Sequence, residues 1–262
     1  MSKTYDVAVV GATGAVGEVM LDILAQRNFP VGTVYALASE RSVGKRVKFG
    51  DKSLTIENLA TFDFSKVQIG LFSPGGAISR EYAPIAASQG CVVIDNTSEF
   101  RYDDDIPLVA VSGSGKPAIE ELAGQTAQLL NGKEAKVEVY PKQIAFNAIP
   151  QIDVNPTAVR IPVFYGHSEA VHIETRDKIT AEYATELLQN TEGVEVIDQR
   201  EDGGYPTAVS EGANNDPVYV GRIREDISHS NGLNMWVVAD NVRKGAALNS
   251  IQIAEVLIRD YI

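Results

Sequence analysis

The sequence is poor in cysteine and in positive charge, and each shortage excludes a class of protein. A single cysteine among 262 residues excludes internal disulfides and a zinc site built from several cysteines. Lysine and arginine total 23 against 35 acidic residues, and the net charge of −12 argues against nucleic acids and anionic membranes as partners. The hydrophobic content of 44% is nevertheless enough for a real core in one large or two modest domains.

Long apolar runs are also missing. No apolar stretch approaches the length that crosses a bilayer, and the first residues, MSKTYD, show no secretory pattern. We therefore expect a cytoplasmic protein with no membrane partner and no metal site. An anionic substrate would need local positive groups, so arginines beside predicted loops become candidate ligands.

The N-terminal segment YDVAVVGATGAVG carries the most informative motif. An apolar strand enters a turn with Gly11, Gly14 and Gly17 spaced G-x-x-G-x-x-G, and an amphipathic helical pattern follows at once. This order binds a nucleotide pyrophosphate, because backbone N–H groups and the helix N-terminus face the phosphates and glycines allow close approach. The alternative is an ordinary tight turn between a strand and a helix.

The rest of the first half continues the alternation of strands and helices, whereas the second half is rich in strands. The pattern predicts strands at 34–37, 68–72 and 91–94, a hairpin over 47–49 and 54–56, and helices at 78–88 and 118–130. After residue 137 it predicts strands at 160–164, 170–174, 194–197, 218–223 and 235–238 with antiparallel pairs, and helices at 180–188 and 243–258. We predict an α/β fold with a Rossmann-type dinucleotide-binding domain at 1–110 with 241–262, and an α+β domain at 111–240.

The end of the second predicted strand indicates which dinucleotide binds. NAD enzymes usually place an acid there against the ribose 2′-hydroxyl. Here small residues are followed by Glu40, Arg41, Ser42 and, after two more residues, Lys45. An arginine and hydroxyls suit a 2′-phosphate, so we expect NADP, with Glu40 pointing to solvent. A solvated charged loop is the alternative.

Nine segments, in order from end to end, resemble the aspartate-β-semialdehyde dehydrogenase family. They are VAVVGATGAVGEVML, ALASERSVGK, LFSPGGAISREYAP, CVVIDNTSEFR, AVSGSGKPAIEELAGQ, YPKQIAFNAIPQID, NPTAVRIPVFYGHSEAVHIET, VYVGRIRED and MWVVADNVRKGAALNSIQIAE. The family reduces aspartyl phosphate to aspartate semialdehyde with NADPH through a cysteine thioester, on the route to lysine, methionine and threonine. Its members are usually homodimers whose second domain serves catalysis and dimerisation. A related acyl-phosphate reductase of arginine synthesis is the alternative, which NTSEFR and GHSEAVHIET disfavour.

The resemblance implies a role for individual residues. It makes His167 the general acid/base, Arg160 the ligand of the substrate carboxylate, and Arg101, in a segment with Asn96, the ligand of the substrate phosphate. The cofactor contacts that it implies are Gly11, Thr13, Gly14, Ala15 and Val16 at the pyrophosphate, Arg41 and Ser42 at the 2′-phosphate, Ser112 and Gly113 near the nicotinamide, and Gln252 in the closing helix.

These implied roles suit the chemistry of the substrate. A substrate with a carboxylate and a phosphate calls for two arginines, because a guanidinium binds such oxyanions bidentately. Thioester chemistry needs a base to form the thiolate, and histidine has a suitable intrinsic pKa. On the residues alone, Arg160 could equally be an ion-paired edge residue, and His167 could be an exposed histidine in a turn after Gly166.

The chain departs from the family at two points. After Val109 it lacks the segment with the catalytic cysteine and a substrate-contacting glutamine, and after Asp153 it lacks a helix with a glutamate and a lysine. Cys91 is no substitute, because it begins a predicted strand and therefore lies at the edge opposite the ligand crevice. Either the sequence omits internal segments of a longer enzyme, or the chain is an internally deleted form. An NADP-binding homologue without catalysis is the alternative function.

Overall fold

The computed structural model describes residues 3–101, 103, 106, 163 and 165–262. These residues form two compact units, one of 3–101 with 246–262 and the other of 165–245. The predicted helix at 118–130, and the predicted strand at 160–164 apart from Val163, lie outside the described residues. The predicted domain boundary near residue 110 also lies outside them and stays a prediction.

The first unit is a six-stranded sheet with helices on both faces. Its elements are β1 (Tyr5–Val10), α1 (Ala15–Gln26), β2 (Val31–Ala38), β3 (Arg46–Phe49), β4 (Lys52–Asn58), β5 (Ile69–Phe72), α2 (Gly76–Ser88), β6 (Val92–Asp95) and the closing helix α4 (Leu248–Asp260). The strand order is β3-β4-β2-β1-β5-β6, and every neighbouring pair is parallel except the hairpin of β3 and β4. The order reverses between β1 and β5, and open α/β sheets bind ligands at the carboxyl ends of the strands beside such a reversal.

The apolar run of β1 is buried on both faces of the sheet. Val7 and Val9 pack with α1 and α4, whereas Ala8 and Val10 pack on the other face with residues of α2. Two-sided burial explains why the strand is a continuous apolar run and not an alternating one. On the α1 side, the Arg27 guanidinium makes a bidentate ion pair with the Glu255 carboxylate, at 2.7 and 2.8 Å, which joins α1 to α4.

The second unit is a four-stranded sheet with one helix. Its elements are β7 (His167–Glu174), α3 (Ala181–Gln189), β8 (Val194–Val196), β9 (Val218–Glu225) and β10 (Gly232–Ala239), in the strand order β7-β10-β9-β8. Helix α3 begins after Thr180, whose hydroxyl accepts the N–H of Tyr183 at 3.2 Å. Its Ala184 packs against Val220, Ile223 and Leu233 of the sheet.

The α/β fold class with a Rossmann-type unit is confirmed, and three details differ from prediction. Strand β7 begins at His167, three residues earlier than expected, so this histidine is the first residue of a strand and not part of a turn. Strands β8 and β9 are parallel, and the connection between them, residues 197–217, is long enough to provide the crossover that parallel strands need. A single turn of π-helix, Arg243–Ala247, precedes α4, which begins only at Leu248. Each helix in the described ranges is too short or too polar to span a bilayer.

Candidate functional site

The glycine turn between β1 and α1 leaves the start of the helix open. Gly14 stands at the N-cap with an extended backbone and no side-chain cap, and the first helical bond runs from the Glu18 N–H to the Gly14 oxygen at 2.9 Å. The N–H groups of Ala15 and Val16 therefore precede the first intrahelical bond. Thr13, Gly14 and Ala15 are exposed. An uncapped helix N-terminus with exposed N–H groups attracts a phosphate.

Two of the glycines in this turn are required by close backbone contacts. A Cβ on Gly17 would lie 2.2 Å from the Gly11 oxygen, so a larger residue would push the helix off the turn. Gly11 has a φ of 86°, and a Cβ there would lie 2.7 Å from the oxygen of Ser73. Gly11 therefore lets the loop after β5 approach the pyrophosphate turn at the strand-order reversal.

The turn after β2 presents an arginine that has no acidic partner among the described residues. Glu40–Ser42 forms one turn of 3₁₀-helix, and its last N–H, from Ser42, bonds to the Ser39 oxygen at 2.8 Å. The side chains of Glu40 and Arg41 are both exposed, so the acid points to solvent as expected. The Arg41 guanidinium, which no described carboxylate neutralises, is therefore available to a 2′-phosphate.

The loop after β6 is ordered by one carboxylate. Asp95 accepts hydrogen bonds from the Ser79 hydroxyl at 3.1 Å, the Thr97 N–H at 2.9 Å and the Thr97 hydroxyl at 2.9 Å. Arg101 folds back on this loop, with its guanidinium donating to the oxygens of Asn96 and Thr97 at 3.3 and 3.2 Å. Its side chain is exposed and has no ion pair within the described part of the chain. The structure thus brings Asn96 and Arg101 together at the carboxyl edge of the sheet.

An acid that the sequence did not single out lies beside the N-terminus of α2. Glu99 forms a short ion pair with Arg80, and its other oxygen is 3.0 Å from the position that a Cβ on Gly76 would take. The N-cap of α2, Gly75, has no side-chain cap. The negative carboxylate of Glu99 therefore complements the positive end of this helix.

His167 lies in the second unit, where its ring is held by a carboxylate two residues along β7. Its Nε2 is 2.6 Å from the Oε1 of Glu169, which shares its face of the strand. An ionised carboxylate can only accept, so Nε2 is the donor in this contact, and in the neutral form of the ring Nδ1 is the acceptor. With 60% of its side chain exposed, His167 can reach a ligand.

Three expected ligands lie outside the described residues, namely Ser112, Gly113 and Arg160. Gln252 lies in α4, half-buried in the first unit. Their predicted roles, and those of the described site residues, remain predictions.

Cys91 lies in the core of the first unit, away from the ligand edge. It is 3% exposed, packs with Phe64, Phe72 and Ala86, and immediately precedes β6 at the amino end of that strand. Burial raises the pKa of its thiol to about 12. A neutral, buried thiol at the edge opposite the glycine turn has the properties of a structural residue and not of a nucleophile.

The doubly wound sheet and its open glycine turn define a dinucleotide-binding protein. The family model described as semialdehyde dehydrogenase, NAD binding domain, matches residues 6–113, and the one described as semialdehyde dehydrogenase, dimerisation domain, matches 107–155 and 153–244. Aspartate-semialdehyde dehydrogenase from Shewanella violacea is 48% identical, and that from Legionella pneumophila is 47% identical. The alignments cover all of this chain, with 100% and 98% of the two relatives.

A crystal structure of aspartate semialdehyde dehydrogenase II from Vibrio cholerae, complexed with ASA, superposes with a TM-score of 0.82 and 43% identity over all of both chains. The chain therefore belongs to the aspartate-semialdehyde dehydrogenase family. The family resemblance expected from the sequence is confirmed, and the match to the NAD binding domain agrees with the geometry of the glycine turn.

The same alignments show that this chain lacks internal residues that its relatives have. The alignment with the Shewanella violacea enzyme has 339 positions, which exceeds the 262 residues of this chain by 77, although it spans both proteins completely. The dimerisation-domain match breaks in two at 153–155, where the second gap is expected, and the two family models meet at 107–113, around the first. With Cys91 buried, the chain holds no thiol at the ligand edge.

Sequence reasoning missed three residues that the structure places beside the candidate ligands. Glu169 contacts His167, Glu99 contacts Arg80 near the loop of Arg101, and Asn241 bonds to the residue before His167. The i, i+2 spacing of His167 and Glu169 on one strand was the available signal for the first. The other two contacts join residues far apart in the chain or lie in an irregular loop, so spacing could not reveal them.

Proposed function

We propose that this protein serves as an aspartate-semialdehyde dehydrogenase, catalysing the NADPH-dependent reductive dephosphorylation of L-aspartyl 4-phosphate to L-aspartate 4-semialdehyde. Family membership supports the reaction, and the Arg41 turn supports the choice of cofactor. The single observation that carries the cofactor is an exposed guanidinium, without a described acidic partner, at the end of β2, where an NAD enzyme would have an acid.

The residues present fit the cofactor, because the helix N-terminus is open and Gly17 has no room for a side chain. Thr13, Gly14, Ala15 and Val16 would hold the pyrophosphate through backbone N–H groups, and Arg41 with Ser42 would hold the 2′-phosphate. Gly11, Ser112, Gly113 and Gln252 complete the proposed contacts. When bound, the cofactor supplies the hydride.

The substrate contacts follow the family resemblance. Arg101, close to Asn96, would hold the phosphate, and Arg160 the carboxylate. His167 would accept and return the proton at Nδ1 while Glu169 holds Nε2–H. Each assignment pairs a group of suitable charge with one end of a doubly anionic substrate.

The nucleophile is the group essential to the reaction that this sequence does not supply. The thiolate must come from an internal segment after Val109, because the buried Cys91 stays protonated at physiological pH. We therefore propose that the 262-residue chain binds NADPH but does not turn over, and that a form with the internal segment does. Without that segment, the alternative function is an NADP-binding homologue.

The wider assignments belong to the same proposal. The reaction would lie on the route to lysine, methionine and threonine, in the cytoplasm. The match to a dimerisation domain over 107–155 and 153–244 supports a homodimer.

The cofactor proposal is tested by replacing Arg41. We expect Arg41→Ala to weaken NADPH binding roughly tenfold to 100-fold, since a hydrogen bond to a charged group contributes about 1.5–3 kcal/mol, and to leave NADH binding nearly unchanged. The matched control is Arg46→Ala, because the Arg46 guanidinium bonds to Ser53. Equal losses of NADPH and NADH affinity in Arg41→Ala would refute the 2′-phosphate contact.

The nucleophile proposal is tested by an intact mass followed by an assay of phosphate-dependent NADP reduction with aspartate semialdehyde. A protein of 28.2 kDa should show no turnover, whereas a heavier form with the internal segment should be active. Turnover by the 28.2 kDa protein that survives Cys91→Ser would require a mechanism without a thiol. Turnover that Cys91→Ser abolishes would show that Cys91 had been misassigned.

A further inference from the structure

The corner before His167 is held by a side chain from the loop after β10. The Oδ1 of Asn241 accepts the N–H of Gly166 at 2.9 Å. Gly166 has a φ of 93°, and a Cβ there would lie 2.5 Å from the oxygen of Ala208. The backbone entering β7 is therefore fixed by a hydrogen bond on one side and by a close contact on the other.

Asn241 is itself part of a rigid turn. The neighbouring Asp240 is 1% exposed, and a buried carboxylate is tolerated only when its oxygens are satisfied. It accepts the N–H groups of Asn214, Val242 and Arg243 at 2.7, 2.7 and 2.8 Å. The Arg243 side chain in turn pairs with Asp216 at 2.6 Å. Both neighbours of Asn241 are thus anchored, so the position of its carboxamide is set by the core of the unit.

The turn that carries Asn241 follows directly on the strand residue that pairs with His167. His167 pairs with Ala239 in the last rung of the β7–β10 ladder, and the chain from Ala239 reaches Asn241 two residues later. The strand ladder holds the backbone of His167 on one side of the residue, and Asn241 holds its predecessor. The direction of the imidazole depends on both, because a side chain leaves the backbone along a direction that φ and ψ determine.

We propose that Asn241 is a positioning residue that orients the imidazole of His167 through the amide of Gly166. The functional importance of this orientation rests on the proposed acid/base role of His167. The effect of Asn241 on the orientation is independent of that role. Losing the Oδ1 acceptor frees the corner, and the ring no longer keeps its Nε2–H on Glu169. The two ring nitrogens then lose their fixed, distinct protonation.

The experiment uses the full chain with ¹⁵N-labelled histidine at one fixed pH. The chain has three histidines, His167, His172 and His229, so two of them serve as controls in each spectrum. In Asn241→Ala we expect the ¹⁵N shifts of His167 alone to move towards the averaged values of a free imidazole. The Gly166 amide should exchange about tenfold faster with solvent, as the loss of one hydrogen bond implies.

Two further variants make the result decisive. Asn241→Asp keeps an oxygen acceptor and should restore the slow Gly166 exchange and distinct His167 nitrogens, whereas Asn190→Ala, whose amide bonds only within its own helix, should change neither. Unchanged His167 shifts in Asn241→Ala overturn the proposal, and so does a shift of all three histidines. Because neither NADPH nor turnover enters the measurement, a failure of the proposed enzymatic function would leave this result intact.

Discussion

The two units bury their sheets to very different degrees. In β5 of the first unit, all four residues are buried and Ile69 is 0% exposed, because helices cover both faces. In β7 of the second unit no residue is fully buried, and Ile173 is 37% exposed. Among the described residues β7 is the edge strand of its sheet, and helix α3 packs mainly on β8 and β9, which leaves β7 partly exposed.

This difference separates a rigid unit, whose sheet is buried, from a unit in which side chains of the sheet remain accessible to a ligand. The closed sheet holds the glycine turn and the Arg41 turn at its carboxyl edge, and a stiff scaffold positions such loops accurately. The open sheet carries His167 on its edge strand, where a side chain can reach a ligand but has few apolar neighbours. Hydrogen bonds in which Asn241 and Glu169 are the acceptors hold the start of β7, whereas the first unit is held mainly by apolar packing.

The largest expected effect concerns the thiol inside the closed unit. Because the pKa of Cys91 is raised from 9.0 to about 12, its thiolate fraction near neutral pH falls about a thousandfold, and alkylation by iodoacetamide should slow at least as much. Unfolding in urea should restore the ordinary rate. Between pH 9.0 and about 12 the folded thiol keeps its proton and the unfolded thiol loses it. The free energy of unfolding is therefore independent of this group below pH 9.0 and falls as the pH rises from 9.0 towards 12. Fast alkylation of the native protein would show that the unit is not closed.

A matched pair of isoleucines tests the comparison directly. We expect Ile69→Ala to lower the free energy of unfolding by about 2–5 kcal/mol, because it leaves a cavity in a sealed core. Ile173→Ala on the open strand should cost less than about 1 kcal/mol, because part of its side chain already contacts water. Urea unfolding followed by circular dichroism measures both. Similar losses would mean that the two strands are equally packed.

Substitutions of Gly17 and Gly166 test whether each unit depends on the close backbone contact that its glycine makes. Gly17→Ala should weaken NADPH binding more than about tenfold, because the new Cβ forces the pyrophosphate turn apart. Gly166→Ala should instead lower the stability of the second unit by about 1–3 kcal/mol, because the new Cβ would lie 2.5 Å from the Ala208 oxygen, as read from the fluorescence of Trp236 in β10. Gly44→Ala is the control, because its φ is positive but nothing lies near its Cβ. A Gly17→Ala protein with normal NADPH affinity would contradict this reading.

The smallest effect is expected at His172, on the open sheet. A hydrogen bond to Glu174, then one to Asn234 and the nearby Asp226, raise the pKa of His172 above 6.5. A raised pKa means that the folded state holds its proton longer, so the stabilisation is full below pH 6.5 and is lost as the pH rises through the folded pKa. An NMR titration should place the His172 midpoint above 6.5, and Glu174→Gln should lower it. A midpoint at or below 6.5 would show that these neighbouring groups do not stabilise the protonated imidazole of His172.

Local patterns predicted the features that depend on neighbouring residues. The glycine spacing after an apolar strand predicted a strand, a turn and a helix, and the structure has them in that order. The structure also leaves Arg41 exposed after β2, and its contact with a 2′-phosphate stays a prediction. The sequence predicted a strand that begins at Cys91, and the observed strand begins one residue later, at Val92, with Cys91 buried. Such features could be predicted because each is built from a few consecutive residues whose periodicity and turn chemistry act locally.

The sequence by itself determined the dinucleotide unit, the family and the absence of a second thiol. Only the tertiary structure decided that His167 starts a strand, that Glu169 holds its ring, and that Asn241 anchors its corner from 75 residues away. It also decided that Glu99 lies at the start of α2. The physical reason is that these contacts depend on strand pairing and loop closure, which bring distant residues together without leaving a periodic trace in the chain.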